Sequence, residues 1–370
     1  MNKTERAVLV DVSLHKEKID PYNLVELEAL AKTAGADTVG EIVQSRDKPD
    51  IKYYIGEGKA AELKALCAST NADLVIFNSD LSPSQIRNLQ SELGCKVIDR
   101  TGLILDIFAQ HAHTREGKLQ VELAQDNYTL THLTGKGIEL SRLGGGIGTR
   151  GPGETKLEVD RRRIRNKISQ LKKELEEVRS HRSIRRERRR RSQVPVAAIV
   201  GYTNAGKSTL LNTLTKAGVK AEDKLFATLD PVTRILMLPN RKEILLTDTV
   251  GFIQDLPHDL IEAFQATLEE VTEADLLIHI VDISHPNFIE QINSTYKVLE
   301  DLSAITKPIL TAFNKIDKYI GDPKVLLEKY SPAVTISALK GSGIDELIRK
   351  IEKLLNLEPA TKRRGSDQMV

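Results

Sequence analysis

The sequence predicts an α/β protein in which two α/β regions are separated by a long helical hairpin. Short runs rich in Val and Ile have the length and composition of strands, at residues 7–12, 38–43, 74–78 and 96–99. Helix-like stretches alternate with these runs, at residues 21–35, 58–70 and 82–94. The last of them opens on Ser82 followed by Pro83 and closes on Gly94, which are helix start and stop signals. Alternation of this kind predicts a mainly parallel sheet in the N-terminal part.

A helical hairpin is predicted where the strand pattern stops. Residues 118–133 carry leucines at helical spacing, at positions 119, 123, 130 and 133. A second run has the seam of a coiled coil, formed by Leu157, Ile164, Ile168, Leu171, Leu175 and Val178. The segment between the two runs, residues 143–155, contains six glycines and one proline and cannot be the interior of a helix. We therefore expect two antiparallel helices with this glycine-rich loop at their tip.

The charge is distributed unevenly along the chain. The 370 residues carry a formal net charge of +2, yet residues 156–191 hold 16 Lys and Arg against six Asp and Glu. This segment is therefore at +10 and the remainder at −8, which would concentrate attraction to a polyanion on the second helix. A solvated connector is the alternative interpretation of its most basic part, residues 180–192.

Other bulk features exclude several classes of protein. The first residues lack the pattern of a signal or transit peptide, and no apolar run approaches the length of about 20 residues that spans a bilayer. A cytoplasmic location without a membrane partner is expected. Cys67 and Cys95 have no CxxC spacing, so we interpret them as reduced core thiols.

The C-terminal α/β region contains a phosphate-binding loop. The pattern GxxxxGKS occupies residues 201–208, directly after an apolar strand and before an amphipathic helix. In such a loop the backbone amides point at the phosphates, the lysine reaches the β and γ phosphates, and the hydroxyl of the last residue binds Mg²⁺. The predicted nucleotide-binding residues here are Gly201, Tyr202, Thr203, Asn204, Ala205, Gly206, Lys207, Ser208 and Thr209.

Three further motifs follow in the order found in guanine-nucleotide proteins. A DxxG motif has Asp248 for the Mg²⁺ water shell and Gly251 for the γ phosphate. An NKxD motif follows a strand, and its carboxylate can accept hydrogen bonds from guanine N1 and the exocyclic amine, which adenine does not offer. A final motif is expected to donate a backbone amide, that of Ala338, to guanine O6. The predicted base-binding residues are Asn314, Lys315, Asp317, Ser337, Ala338 and Leu339.

The four motifs together predict a P-loop GTPase domain of the Ras-like kind, with GTP or GDP and Mg²⁺ as ligands. A threonine that closes over the γ phosphate and Mg²⁺ should lie between the first two motifs; Thr228 is favoured and Thr233 is the alternative. The predicted catalytic residues are Lys207, Thr228 and Gly251, and the predicted metal ligands are Ser208 and Thr228.

The residue after DxxG predicts slow hydrolysis. Many GTPases place a water-orienting glutamine there, but this chain has Phe252, whose ring cannot polarise water. The intrinsic rate should therefore be low unless a partner completes the site. Asn204 resembles the P-loop asparagine that binds K⁺ in some such proteins, and capping of the turn is its alternative role.

Beyond the common motifs, the chain resembles the HflX family of GTPases over nearly its whole length. The resemblance rests on residues 107–125 (IFAQHAHTREGKLQVELAQ), on the loop and helix start at 142–165, on GYTNAGKSTLLNTL and on FATLDPVTR. It implies four segments: an N-terminal α/β subdomain (1–115), the hairpin with its basic linker (116–193), the GTPase domain (194–357) and a short tail (358–370). An additional C-terminal domain carried by some members is not visible.

The resemblance also implies a partner. Family members bind the large ribosomal subunit, insert the hairpin loop near the peptidyl transferase centre, and help to split stalled or idle ribosomes. Arg142 and Arg150 in this loop could then contact rRNA phosphates. The alternative is an RNA-binding chaperone or ribosome-assembly module in which hydrolysis is incidental. Neither DNA nor a membrane is an expected partner, and the oligomeric state stays open, with a monomer favoured.

Overall fold

The computed structural model describes residues 4–14, 20–133, 156–192, 194–215, 224–254 and 265–357. For Lys156, Arg179 and residues 181–192 and 265–267 it describes the backbone alone. The predicted tip loop at 143–155, with Arg150, and also Arg142 and the tail at 358–370 lie outside these residues. The chain forms two compact units: one holds the N-terminal part to Ile184 with Lys224–Leu229, and the other holds the remaining C-terminal part from Arg185.

The first unit has the predicted alternation of strands and helices. Its elements are β1 (Glu5–Leu14), α1 (Pro21–Ala34), β2 (Ala36–Arg46), α2 (Glu57–Thr70), β3 (Leu74–Phe77), α3 (Pro83–Leu93), β4 (Lys96–Ile98), α4 (Arg100–His111), α5 (Arg115–His132) and most of α6 (Lys156–Ser192). Among the described residues the strands form one sheet in the order β2-β1-β3-β4, and every neighbouring pair is parallel. The parallel sheet predicted from the sequence is confirmed.

Local signals explain where these helices begin. The Ser82 hydroxyl accepts a hydrogen bond from the Gln85 amide, and the Gln85 side chain accepts one from the Ser82 amide. This reciprocal capping box, followed by Pro83, starts α3, and Gly94 in the left-handed conformation ends it. Between β1 and its neighbours the core is continuous, because every side chain from Ala7 to Val12 is buried.

Helix α4 was not assigned from the sequence. Its middle is a run of buried apolar residues interrupted by the exposed Asp106: Leu103, Ile104, Leu105, Ile107 and Phe108. A helix buried on nearly all sides loses the 3.6-residue alternation on which sequence assignment depends. Its start is nevertheless marked, since the Asp99 carboxylate accepts a hydrogen bond from the Gly102 amide.

Helices α5 and α6 form the predicted antiparallel hairpin. Their leucines and isoleucines make one apolar cluster around Leu119, Leu123, Ile168, Leu171 and Leu175. Ion pairs cross the hairpin in antiparallel order: Arg115 lies 3.8 Å from Glu174, whereas Lys167 lies 2.8 Å from Glu122 and 3.1 Å from Asp126. The two helices therefore run in opposite directions. The C-terminal end of α5, near Leu130, lies beside the N-terminal part of α6, near Ile164, and the connecting segment starts from this end of the hairpin.

The second unit carries the other predicted sheet. Its elements are β5 (Val196–Gly201), α7 (Lys207–Thr215), β6 (Val232–Met237), β7 (Glu243–Asp248), α8 (Gln265–Glu273), β8 (Leu276–Asp282), α9 (Phe288–Asp301), β9 (Ile309–Asn314), α10 (Lys324–Lys329), β10 (Ala333–Thr335) and α11 (Ile344–Leu354). Within the described ranges the strand order is β10-β9-β8-β5-β7-β6, in which β6 alone is antiparallel to its neighbour.

This topology collects the ends of several strands at one edge. Strands β5, β7, β8 and β9 are parallel and end at Gly201, Asp248, Asp282 and Asn314. Ligands of open α/β sheets bind beyond the carboxyl ends of the strands. The candidate site is therefore expected at this edge. No helix among the described residues is long and apolar enough to cross a membrane.

Candidate guanine-nucleotide site

The loop between β5 and α7 has the conformation that its glycines permit. Gly206 has φ +100°, and a Cβ there would lie 2.3 Å from the Asn314 side-chain nitrogen. Any other residue would thus be strained and would collide with Asn314. The following residues, Lys207 and Ser208, begin α7, so the loop passes directly into a helix N-terminus that favours phosphate.

The lysine of this loop is buried among backbone oxygens. Lys207 Nζ donates hydrogen bonds to the carbonyls of Gly201 at 3.1 Å and Tyr202 at 2.7 Å. Burial lowers the pKa of Lys207 to about 8 from its ordinary 10.5, and the nearby Asp248 opposes this shift. An ammonium held in a poorly hydrated position is well suited to pair with a phosphate.

A hydroxyl and a carboxylate meet where a metal would be held. Ser208 Oγ donates to Asp248 Oδ2 at 2.6 Å, and Asp248 is fully buried at the end of β7. Oxygen donors of this type suit Mg²⁺, which typically takes only one or two protein ligands besides phosphates and water. The donor set therefore fits the Mg²⁺ predicted from the sequence.

Asn314 joins the phosphate loop to the last motif. Its Nδ2 donates to the Ala205 carbonyl at 2.7 Å, and its Oδ1 accepts from the Ala338 amide at 2.9 Å. From the sequence, the Ala338 amide is expected to donate to guanine O6. In the structure this amide is bonded to Asn314, so a hydrogen bond to O6 would have to be shared with it.

The rest of the NKxD motif is fixed by two ion pairs. Lys315 Nζ donates to the Asn204 carbonyl at 3.0 Å and lies 2.6 Å from Asp282 Oδ2. Asp317 lies 3.3 Å from Lys340 Nζ. A hydrogen bond from Ser337, together with Lys340, lowers the pKa of Asp317. The carboxylate is therefore ionised at neutral pH, as recognition of guanine N1 and its amine requires.

The residues after Asp248 lie directly against the phosphate loop. The Thr203 amide donates to the Phe252 carbonyl at 2.7 Å, and the Phe252 amide donates to the Gly201 carbonyl at 3.1 Å. A Cβ on Gly251 would lie 2.7 Å from Thr203 Cγ2 and 2.8 Å from Lys207 Nζ. The DxxG glycine therefore has no room for a side chain.

The two candidate threonines differ in their surroundings. Thr233 lies on β6, where its hydroxyl is 3.0 Å from that of Thr247 on β7, so it takes part in the sheet. Thr228 lies in the segment Lys224–Leu229, which groups with the first unit. Ser208 and Asp248 belong to the second unit. Because the Thr233 hydroxyl is already paired within the sheet, Thr228 is the better candidate for the threonine that closes over the γ phosphate and Mg²⁺. Its role stays a prediction.

Two other sequence predictions can be placed. Asn204 is exposed and has φ +60°, the left-handed conformation that suits a turn, while Leu339 is 80% exposed beside the last motif. Cys67 and Cys95 are free thiols that belong to one apolar core in the first unit, as expected.

Two polar residues of β8 that lie near the site, Asp282 and His279, were not predicted as site residues from the sequence. Asp282 holds Lys315 and also accepts hydrogen bonds from the amide and hydroxyl of Ser284. His279 is fully buried on β8 against Tyr296, and burial together with Lys207 lowers its pKa to about 3. Both residues interrupt the apolar run 276–283, and such polar positions could have marked them as candidates. From the sequence alone, this part of the chain counts only as an apolar run too short to cross a membrane.

Comparisons with known proteins find relatives over most of the chain. Family models match successive parts of the chain: GTP-binding GTPase N-terminal at residues 21–109, GTP-binding GTPase Middle Region at 111–189, and 50S ribosome-binding GTPase at 196–315. A protein of Caldanaerobacter subterraneus subsp. tengcongensis named GTPase HflX is 53% identical over 351 residues, which are 95% of this chain and 81% of that protein. The chain belongs to the HflX family of GTPases.

Other HflX relatives support the same assignment. GTPase HflX of Escherichia coli K12 is 46% identical over 367 residues, covering 96% of this chain and 84% of that protein. A solved structure described as the complex of SsGBP with GDP is 30% identical, with a TM-score of 0.53 over 95% of this chain and 98% of that one. This HflX-family protein is therefore a GTPase that binds GTP and GDP.

Proposed function

We propose that the GTPase cycle of this HflX-family protein controls its binding to the large ribosomal subunit, and that the GTP-bound form splits stalled or idle ribosomes in the cytoplasm. The observation that carries the proposal is the antiparallel hairpin of α5 and α6, which precedes a complete guanine-nucleotide site. The match of residues 196–315 to a family described as 50S ribosome-binding GTPase supports the choice of partner.

The hairpin has the charge that an RNA partner requires. Near its loop end, Arg162, Arg163 and Arg165 are exposed on α6, whereas Lys167 is engaged by acidic residues of α5. Exposed guanidinium groups bind phosphates and release counterions, which gives an affinity that falls with salt. In our proposal these arginines direct the connecting segment, including Arg142 and Arg150, toward rRNA near the peptidyl transferase centre.

The site residues have the following proposed roles. The amides of Gly201–Thr209 and the ammonium of Lys207 bind the phosphates, Asp317 and Asn314 select guanine, and Gly251 contacts the γ phosphate. Ser208, Asp248 and Thr228 hold Mg²⁺ and its water shell. Mg²⁺ held by these residues would supply positive charge beside the phosphates during transfer.

Hydrolysis is proposed to be slow without the ribosome. The side chain of Phe252 is only 1% exposed and carries no group that could orient a water molecule. A partner that supplies this function would then accelerate turnover, as arginine fingers do in other GTPases. K⁺ near Asn204 is a second proposed activator, and comparison of initial rates in KCl and NaCl at equal ionic strength tests it.

The central test is a sucrose-gradient experiment with 70S-type ribosomes. With a non-hydrolysable GTP analogue the protein should bind the large subunit and convert ribosomes into subunits, whereas with GDP it should do neither. Ribosomes should also raise the GTP turnover rate. Equal binding to free structured RNA with GTP and GDP, without subunit separation, would instead support the RNA-chaperone alternative.

A matched pair of variants on α6 sharpens this test. Arg162→Gln with Arg165→Gln removes two exposed charges near the loop end, and Lys172→Gln with Lys173→Gln removes two exposed charges farther along the same helix. If the loop end inserts into rRNA, the double arginine substitution should weaken ribosome binding about 10-fold or more and make the affinity less dependent on salt concentration. The lysine pair should have a much smaller effect. Equal effects would argue against insertion.

A further inference from the structure

Tyr202 places an aromatic side chain in the phosphate-binding loop. It occupies the second position of GxxxxGKS, and its side chain is buried, with 6% exposure. The hydroxyl of Tyr202 accepts a hydrogen bond from the Gln254 amide at 2.7 Å. A side chain of the phosphate loop thus holds the backbone of the segment that follows DxxG.

This contact extends a backbone connection between the same two segments. Tyr202 and Phe252 form a parallel β-bridge, with hydrogen bonds from the Thr203 amide to Phe252 and from the Phe252 amide to Gly201. The three hydrogen bonds together form what we call the Tyr202 latch. It spans Gly201–Thr203 on one side and Phe252–Gln254 on the other.

The Tyr202 latch and Lys207 share an acceptor. The Gly201 carbonyl accepts both from the Phe252 amide and from Lys207 Nζ. Lys207 is directed at backbone oxygens of the same residues that form the latch, Gly201 and Tyr202. Lys207 and the latch are therefore joined through one backbone oxygen, that of Gly201.

The space beside Lys207 is occupied by Gly251 while the latch is closed. A Cβ on Gly251 would lie 2.8 Å from Lys207 Nζ. A phosphate oxygen that bridges two nitrogen donors needs about 2.7–3.2 Å to each. Gly251 therefore stands close to Lys207, and a γ phosphate bound by both groups would have to fit between them.

The closed latch also leaves one polar group unsatisfied. Thr203 is 6% exposed, and its hydroxyl makes no hydrogen bond within the part of the chain that the structure describes. Burying such a group is unfavourable. The closed arrangement therefore includes one unfavourable burial.

We propose that Tyr202 is a positioning residue that sets the preference for GDP over GTP. Its hydroxyl holds the segment after DxxG in a closed position that admits a diphosphate but hinders the γ phosphate, and GTP binds by opening the latch. The proposal rests on the phosphate role of Lys207 given above.

Tyr202→Phe tests the proposal because it removes the hydroxyl and retains the ring. Binding of fluorescent GDP and of the non-hydrolysable analogue GppNHp should be measured in parallel. A lost hydrogen bond predicts that GppNHp binds about three- to ten-fold more tightly relative to GDP. Tyr330→Phe removes a hydroxyl from a ring that packs on Phe313 and should leave the ratio unchanged.

A second variant removes the donor of the same hydrogen bond. Gln254→Pro removes the donating amide, so it should shift the GppNHp to GDP ratio in the same direction, and the double variant should add little to either change. Hydrogen exchange gives an independent readout: with GDP bound, the Gln254 amide should lose protection in Tyr202→Phe. If Tyr202→Phe failed to fold, Gln254→Pro would carry the test.

An unchanged ratio in both variants, or an equal loss of affinity for both nucleotides, would overturn the proposal. Failure of the nucleotide site itself is recognised separately. Lys207→Ala should weaken both GDP and GppNHp strongly; if it did not, the phosphate role of Lys207 would be wrong, while exchange at Gln254 would still report on the latch.

Discussion

The side chain of Asn314 donates a hydrogen bond to the Ala205 carbonyl at 2.7 Å, which ties the base-binding motif to the phosphate loop. The same side chain accepts from the Ala338 amide at 2.9 Å. One residue therefore fixes three motifs that are far apart in the sequence. Asn314 is 2% exposed, so its bonds are made in a poorly hydrated environment where losing a partner is costly.

Asn314→Ala should therefore destabilise the GTPase domain as well as the nucleotide site. It leaves the Ala205 carbonyl and the Ala338 amide without this partner, and we expect the free energy of unfolding to fall by about 2–4 kcal/mol. Urea denaturation without nucleotide measures this change. Asn88→Ala, which removes a hydrogen bond to the Lys52 carbonyl at an exposed position, should cost under about 1 kcal/mol. Equal costs would show that Asn314 does not join the motifs.

Ser208→Ala should reveal whether Mg²⁺ is held at the Ser208–Asp248 pair. The hydroxyl and the carboxylate are 2.6 Å apart, so the variant removes one oxygen donor and leaves the other. In the presence of Mg²⁺ we expect GDP affinity to fall about 10-fold or more, because the metal ion that would help to hold the phosphates loses one protein ligand. In EDTA the variant and the parent chain should differ little.

Thr213→Ala is a suitable control for that experiment. Its hydroxyl lies on the same helix and is bonded to the Ala338 carbonyl at 2.7 Å rather than to a carboxylate. Any effect of this variant should be the same with Mg²⁺ and with EDTA. A Ser208→Ala effect that was equally independent of the metal would count against a ligand role for Ser208.

Much of this architecture could be predicted from the sequence because its signals are local. The strand before Gly201, the glycine-dependent loop and the capping box at Ser82 each need only a few neighbouring residues. The hairpin followed from the apolar seam between Ile164 and Val178. Helix α4 could not be assigned in this way, because residues such as Ile104 and Phe108 are buried on every side and leave no periodic pattern.

The parts that escaped prediction depend on contacts between distant segments. Nothing near Tyr202 indicates that its hydroxyl would meet the amide of Gln254, since the two come together only when β5 and β7 pair. The bond from Ala338 to Asn314 likewise requires β9 and the last motif to be adjacent. Sequence patterns can nominate the residues of such a site, but the partner of each polar group follows from the topology.

Asp317→Asn should change which base the protein accepts. The ionised carboxylate suits the N1 and amine hydrogens of guanine, whereas an amide offers one oxygen and two donors. Loss of two charge-assisted hydrogen bonds predicts a decrease in GDP affinity of about 10²-fold or more. Xanthosine diphosphate, whose base has an oxygen in place of the amine, should bind the variant better than GDP does.

Asp322→Asn provides the control for Asp317→Asn. It removes a carboxylate charge from a nearby exposed turn, where Asp322 accepts a hydrogen bond from the Lys324 amide at 3.0 Å. In competition binding with GDP and xanthosine diphosphate, Asp322→Asn should show the same preference between the two nucleotides as the unsubstituted protein. If Asp317→Asn kept the parent preference too, another group would have to select guanine.

His279 should make the GTPase domain sensitive to acid. Burial, with a contribution from Lys207, lowers the pKa of His279 to about 3 in the folded protein, while an ordinary histidine has 6.5. Above pH 6.5 the imidazole is neutral in both states, so its contribution to stability is fully present there. As the pH falls from 6.5 toward 3, the unfolded chain takes up a proton that the folded protein does not, and stability is lost.

His279→Leu should remove this part of the pH dependence. Between pH 7.5 and pH 5 the parent chain should lose about 2 kcal/mol more of its free energy of unfolding than the variant does. Urea denaturation of the nucleotide-free protein at the two pH values measures the difference. His285→Leu removes an imidazole from the part-buried turn after β8 and serves as the matched histidine substitution. Parallel pH profiles for the parent chain and His279→Leu would mean that His279 is protonated in the fold, and burial beside Tyr296 and Lys207 would then be the wrong account of it.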